Sequence, residues 1–161
     1  MKKYFYVPFI LFAAFLFSGC PYSAEVAIDT PSIKIDDKLL GKWESKSSSD
    51  YMYTVSKDDD KTYSIEKKSA SSGDVTTYKA FLSDINGSRF MNVYEDGIEF
   101  KTYYFYKIEV STSGAKSTMF PVTENIDEKF TSSADMKDFF KKNMGFSFFF
   151  DKDEDVYIKA D

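Results

Sequence analysis

The chain has 161 residues, 19% of them aromatic, and a formal net charge of −5. Acidity of this degree works against binding to nucleic acid or to anionic lipid headgroups, both of which recruit basic surfaces. With no histidine and a single cysteine, the sequence excludes Ser-His-Asp and Cys-His nucleophile systems, zinc sites built on His or Cys, and haem, iron–sulfur or copper sites built on those residues. No cofactor and no metal is expected, and the chain does not read as an enzyme.

Lys2 and Lys3 form a positive start, and Tyr4 to Phe17 is an uncharged apolar run. Spanning a bilayer takes about 20 residues, so this run is too short for that and has the length of a signal-peptide core. Phe17-Ser18-Gly19-Cys20 follows, with small residues directly before the only cysteine. This arrangement resembles the lipobox of bacterial lipoprotein signal peptides, with Phe17 where Leu is usual. The resemblance implies cleavage before Cys20 and acylation of its thiol. Residues 1–19 are then a signal peptide, and their loss takes the net charge to −7 by removing Lys2 and Lys3. Two or three acyl chains give lasting attachment, because each buried methylene contributes about 0.8 kcal/mol. Residues 20–35, with Pro21 and Pro31, read as the lipidated cysteine and a tether.

From Gly41 onward the pattern is β. Tyr51, Tyr53 and Val55 alternate with polar or smaller residues up to the turn Asp58-Asp59-Asp60. Tyr63 and Ile65 mark the next strand, and Ser71-Ser72-Gly73-Asp74 the next turn. Tyr78, Ala80 and Leu82 keep the same period until Asn86-Gly87, a pair suited to a type I′ hairpin because both positions need positive φ. Phe90 to Glu95 returns. Ile98 to Ser111 then reads as the longest strand, with Tyr104, Tyr106, Ile108 and Val110 on its apolar face. Ser117 to Glu124 is another strand, with Pro121 favouring an edge or bulge.

Ser132 and Asp135 open one helix in capping-box fashion, with Met136, Phe139, Phe140 and Met144 on a common face and Gly145 as its C-terminal cap. Phe146 to Phe150 and Val156 to Ala160 read as two closing strands around a solvated turn at Asp151, Asp153 and Asp155. Those aspartates have the opening spacing of a calcium loop but not its later Gly and Glu. The fold expected for residues 36–161 is therefore mostly β: an antiparallel up-and-down barrel of about eight to nine strands with one helix in the C-terminal region.

Gly41-Lys42-Trp43, opening the first strand, is similar to the Gly-x-Trp signature of lipocalins, and the late helix fits the same family. The resemblance implies that Trp43 plugs one end of the barrel, with Lys159 standing where the family has an arginine over the Trp. Residues 36–161 also resemble small lipocalin-like lipoproteins of Gram-negative bacteria. That likeness implies a protein of the cell envelope, anchored by lipid on Cys20 in the outer membrane and facing the periplasm.

Two features bear on function. Tyr53, Tyr63, Tyr78, Tyr104 and Tyr106 fall on the inward side of the period-two pattern. They either fill the barrel or line a cavity for a small apolar or amphipathic ligand, with Tyr53, Tyr78, Tyr104 and Tyr106 as the candidate lining. Buried hydroxyls need partners, which favours an open, wet interior. Tyr103 and Phe105 point outward from a central strand. They are covered by the helix, or they form a patch for a protein partner, as in an inhibitor, an immunity-type lipoprotein or a structural envelope protein.

The anchor is directly testable. Cys20→Ala is expected to leave the precursor uncleaved and to abolish incorporation of labelled palmitate. Equal labelling of the variant contradicts the assignment.

Overall fold

The computed structural model describes residues 21–160; the expected signal peptide, residues 1–19, and Cys20 lie outside the described residues. In chain order the elements are β1 (Ser23–Ala24), a 3-10 turn (Asp37–Leu39), β2 (Gly41–Ser45), β3 (Tyr51–Lys57), β4 (Thr62–Ser69), β5 (Val75–Ile85), β6 (Ser88–Glu95), β7 (Tyr103–Val110), β8 (Lys116–Pro121), α1 (Ser133–Asn143) and β9 (Asp155–Lys159). Strands β2 to β9 pair with their sequence neighbours throughout, and β9 pairs back onto β2, so eight antiparallel strands close a barrel. The expected mostly-β barrel with one late helix is the observed architecture.

Local chemistry explains the turns. Asn86 (φ 53) and Gly87 (φ 81) both adopt positive φ in the β5–β6 hairpin, as a type I′ turn demands. At the N-terminus of α1, the Ser132 hydroxyl accepts the Asp135 backbone N–H at 3.2 Å. This satisfies one of the donors that every helix start leaves free.

Three expected elements differ. The strand expected from Ile98 begins only at Tyr103. Residues 96–102 form a loop in which Phe100 is 82% exposed. Alternation is necessary for a strand, but a ladder partner is also required, and β6 has already ended at Glu95. Phe146 to Phe150 is not a strand either. It makes tight turns after α1, with one isolated bridge from Phe150 to Val122. An unbroken aromatic run carries no period, so it cannot specify a strand by itself. Gly145 does not take a left-handed cap conformation; α1 ends at Met144, in right-handed geometry, whose N–H donates to the Phe140 carbonyl.

Residues 21–35 are not a free tether. β1 pairs with the start of β7, where β8 has ended, and the Tyr22 N–H donates to the Val122 carbonyl at 2.7 Å. Tyr22, Ala27 and Ile28 are buried. Residues 21–28 therefore pack onto the barrel wall, with β1 as an edge strand beside β7.

Two apolar layers result. One fills the closed end inside the barrel: Leu39, Tyr63, Ala80, Leu82, Met91 and Ile108. The other lies outside the wall, where Ile28, Phe90 and Phe105 pack beneath Met136, Phe140 and Phe149. Asn92 ties the outer layer together. It is fully buried; its Oδ1 accepts the Ile28 N–H at 2.9 Å, and its Nδ2 donates to Ser83 Oγ at 2.9 Å and to the Phe81 carbonyl at 3.3 Å.

Asn92→Leu keeps the branching and heavy-atom count, with somewhat larger methyl groups, and removes every one of those bonds. Orphaning the Ile28 N–H should cost about 1–3 kcal/mol, read as a lower urea midpoint. Faster proteolysis within residues 21–35 should accompany it. An unchanged midpoint contradicts the clasp.

Candidate functional site: a tyrosine-lined cavity

The interior is not filled. Between the packed closed end and the opposite mouth lies a cavity of about 510 Å³, within the range of about 300–1,000 Å³ usual for small-molecule sites. Leu39 and Trp43 line its inner end. Trp43 is 3% exposed and its Nε1–H donates to the Leu39 carbonyl at 2.9 Å. Lys159, directly opposite Trp43 in the β2–β9 ladder, puts its ammonium 5.1 Å from the ring centroid and donates to the Lys38 carbonyl at 3.1 Å. Gly41 suits its place: its φ of +124 favours glycine, and a Cβ there would crowd Lys159 Cε at 3.1 Å.

The register decides what faces the lumen. Tyr53 on β3 lies opposite Trp43, Tyr78 on β5 opposite Ile65, Tyr104 on β7 opposite Val93, and Tyr106 opposite Met91. All four candidate tyrosines line the cavity, brought together from three strands that are well separated in sequence. Tyr63 does not join them. It is buried in the closed end, where its hydroxyl accepts the Asp36 N–H and burial pushes its pKa up to about 12.

Tyr103 and Phe105 point outward as expected, but they do not form an exposed partner patch. Phe105 is fully buried, 6.0 Å from the Tyr22 ring and 5.6 Å from the Phe140 ring between centroids. Tyr103 is half-buried, edge-on to Tyr94 at 5.2 Å. The N-terminal segment and α1 cover this face because its apolar area would otherwise meet water.

Among the lining residues that sequence reasoning did not assign to a cavity are Ser117, Asp155 and Tyr157. Asp155 does not belong to a solvated turn. It is the first residue of β9, faces the lumen, and burial raises its carboxyl above the ordinary value, helped by the like charge of Asp151. Tyr157 lies opposite Ser117 in the β8–β9 ladder and edge-on to Tyr53 at 5.3 Å. Burial pushes the phenols of Tyr53, Tyr106 and Tyr157 up, and the Asp155 charge adds to each. Ser117 Oγ is buried without a hydrogen-bond partner. A signal for two of these was present. If Lys159 underlies Trp43, period two places Tyr157 and Asp155 on the same inward face.

At the mouth stand Pro21, Lys67 and Glu95. A second depression, about 410 Å³ on the outer wall, is polar, and its Asp36–Arg89 pair closes at 2.8 Å. Four of its charged groups pair with one another, Asp36 with Arg89 and Lys107 with Glu109. No protein-family model, curated protein or solved structure matches the chain.

The raised Asp155 carboxyl predicts a sign. The folded state holds this proton more tightly than the unfolded chain, so folding is penalised as pH rises through the carboxylate range. Asp155→Asn is therefore expected to raise the melting midpoint at neutral pH. The gain should vanish as pH falls below the ordinary aspartate value of 3.8. A lowered midpoint at neutral pH contradicts this reading.

Proposed function

We propose that this chain is a non-enzymatic, lipid-anchored envelope protein that binds one small apolar or amphipathic ligand inside the barrel. The observation that carries the proposal is the cavity of about 510 Å³, open at one end and lined by Tyr53, Tyr78, Tyr104 and Tyr106. A barrel whose task was only structural would gain stability by filling this space with aliphatic side chains, since unfilled volume costs about 24 cal/mol per Å³ in measured cavity variants. Phe105 is buried and Tyr103 half-buried, which leaves less outward apolar surface for the alternative, protein-binding role.

The anchor and the mouth are adjacent in this proposal. Pro21, the residue after Cys20, lines the cavity at its open end, and Tyr22 is buried beside it. Acylation of Cys20 would then hold the mouth close against the membrane, with no slack segment between. An outer-membrane, periplasm-facing position fits a ligand delivered from, or returned to, the lipid surface.

An apolar fluorescent probe should bind residues 21–161 with a Kd of about 1 μM, near −8 kcal/mol. Tyr104→Trp, which enlarges a side chain in the lining, should weaken that binding severalfold without changing the circular dichroism spectrum. Probe binding no stronger than to an unrelated β protein contradicts the proposal.

A further inference from the structure

The class of ligand can be narrowed, taking the cavity to be a ligand site as proposed above. The lumen is chemically two-sided. On the β4 and β6 walls, Ile65, Met91 and Val93 are apolar. On the β8–β9 side a carboxylate and an orphaned hydroxyl stand beside Met119. Among the described residues, no ion pair includes Asp155. Ser117 is 4% exposed and its Oγ has no partner. Tyr157, opposite Ser117, and Tyr53 and Tyr106 all sense the Asp155 charge.

Each of these groups asks for the same partner. A carboxylate drawn out of water is unfavourable unless a positive charge or several donors meet it. Tyrosine faces are the negative ends of ring quadrupoles and attract a cation within about 6 Å. The protein's own cations do not serve. The Lys67 ammonium at the mouth sits 4.0 Å over the Tyr51 ring, and that of Lys159 is held beneath Trp43. Glu95 adds a second negative charge at the entrance.

We propose that the ligand is an amphipathic amine, its protonated amino group held by Asp155 and Ser117 Oγ among Tyr53, Tyr106 and Tyr157, with its apolar body against the opposite wall. An ammonium that carries N–H groups gives Ser117 Oγ the partner it lacks and neutralises Asp155. A fatty acid would bring a second carboxylate beside Asp155, and like charges repel. A neutral alcohol can donate a hydrogen bond to Asp155 but leaves its charge uncompensated.

Three probes with the same alkyl chain separate these cases: octylamine, octanol and octanoate, each titrated into residues 21–161 with Trp43 emission and calorimetry as readouts. Octylamine should bind at least tenfold more tightly than either other probe, a difference of about 1.4 kcal/mol. Asp155→Asn should abolish that preference, bringing octylamine down to the affinity of octanol. Ser117→Ala, a smaller change to the fold, should weaken octylamine severalfold and narrow the preference. Octanol or octanoate binding as tightly as octylamine overturns the amine assignment and leaves the ligand cavity standing. An amine preference that survives both substitutions overturns the site. Binding by none of the three overturns the cavity reading itself, and with it this one.

Discussion

The barrel closes where β9 pairs with β2, and the register of that ladder sets what the interior becomes. Pairing Trp43 with Lys159 seals one end with an indole, a hydrogen bond to the Leu39 carbonyl and an ammonium against the ring. The same register fixes Tyr157 and Asp155 on the inward face, two and four residues before Lys159. A slip of one residue would turn both outward and put Val156 and Ile158 in their place. Floor and polar wall are therefore consequences of one closure. Gly41 suits it, because its φ of +124 favours glycine and the missing Cβ leaves room for the Lys159 side chain.

Closure alone leaves the outer wall of β5 to β7 apolar, with Ile85, Phe90 and Phe105 facing away from the lumen. Water is kept from this face by two segments far apart in sequence. The N-terminal segment contributes Tyr22 and Ile28, and α1 with the turns after it contributes Met136, Phe140 and Phe149. Phe140 is the junction, edge-on to Phe90 and Phe105 at 5.6 Å each and to Phe149 at 5.0 Å. The ion pair of Asp29 with Lys137 joins the two covering segments directly. Two-sided burial of the wall frees the interior from supplying all the apolar contact that folding needs. That is how a domain of this size tolerates an unfilled lumen.

Much of this was legible in the residues. Strict alternation with Gly, Asn and Asp at the turns placed β3 to β8, and the helix followed from Ser132, Asp135 and the spacing of Met136 and Phe140. The four tyrosines could be assigned inward because the period of a strand is two and one face is enclosed. What was not legible depends on pairing. Ile98 and Phe100 alternate like the residues after them, yet they have no neighbouring strand and stay in a loop. Residues 21–35 look like a polar linker by composition, and only the apolar wall beside them explains why Tyr22 and Ile28 are buried. Asp155 reads as one more acidic turn residue until the β8–β9 register turns it into the lumen.

The central claim is that an amphiphile enters this lumen and reaches its floor. Trp43 is the sole tryptophan and stands at that floor, so a quencher that acts only at contact reports entry directly. The decisive measurement is the quenching of Trp43 emission by an amphiphile brominated near the end of its alkyl chain. The account predicts quenching that saturates at one equivalent per barrel and is reversed by the unbrominated amphiphile. Quenching that climbs linearly without saturation, or none at all, would contradict it.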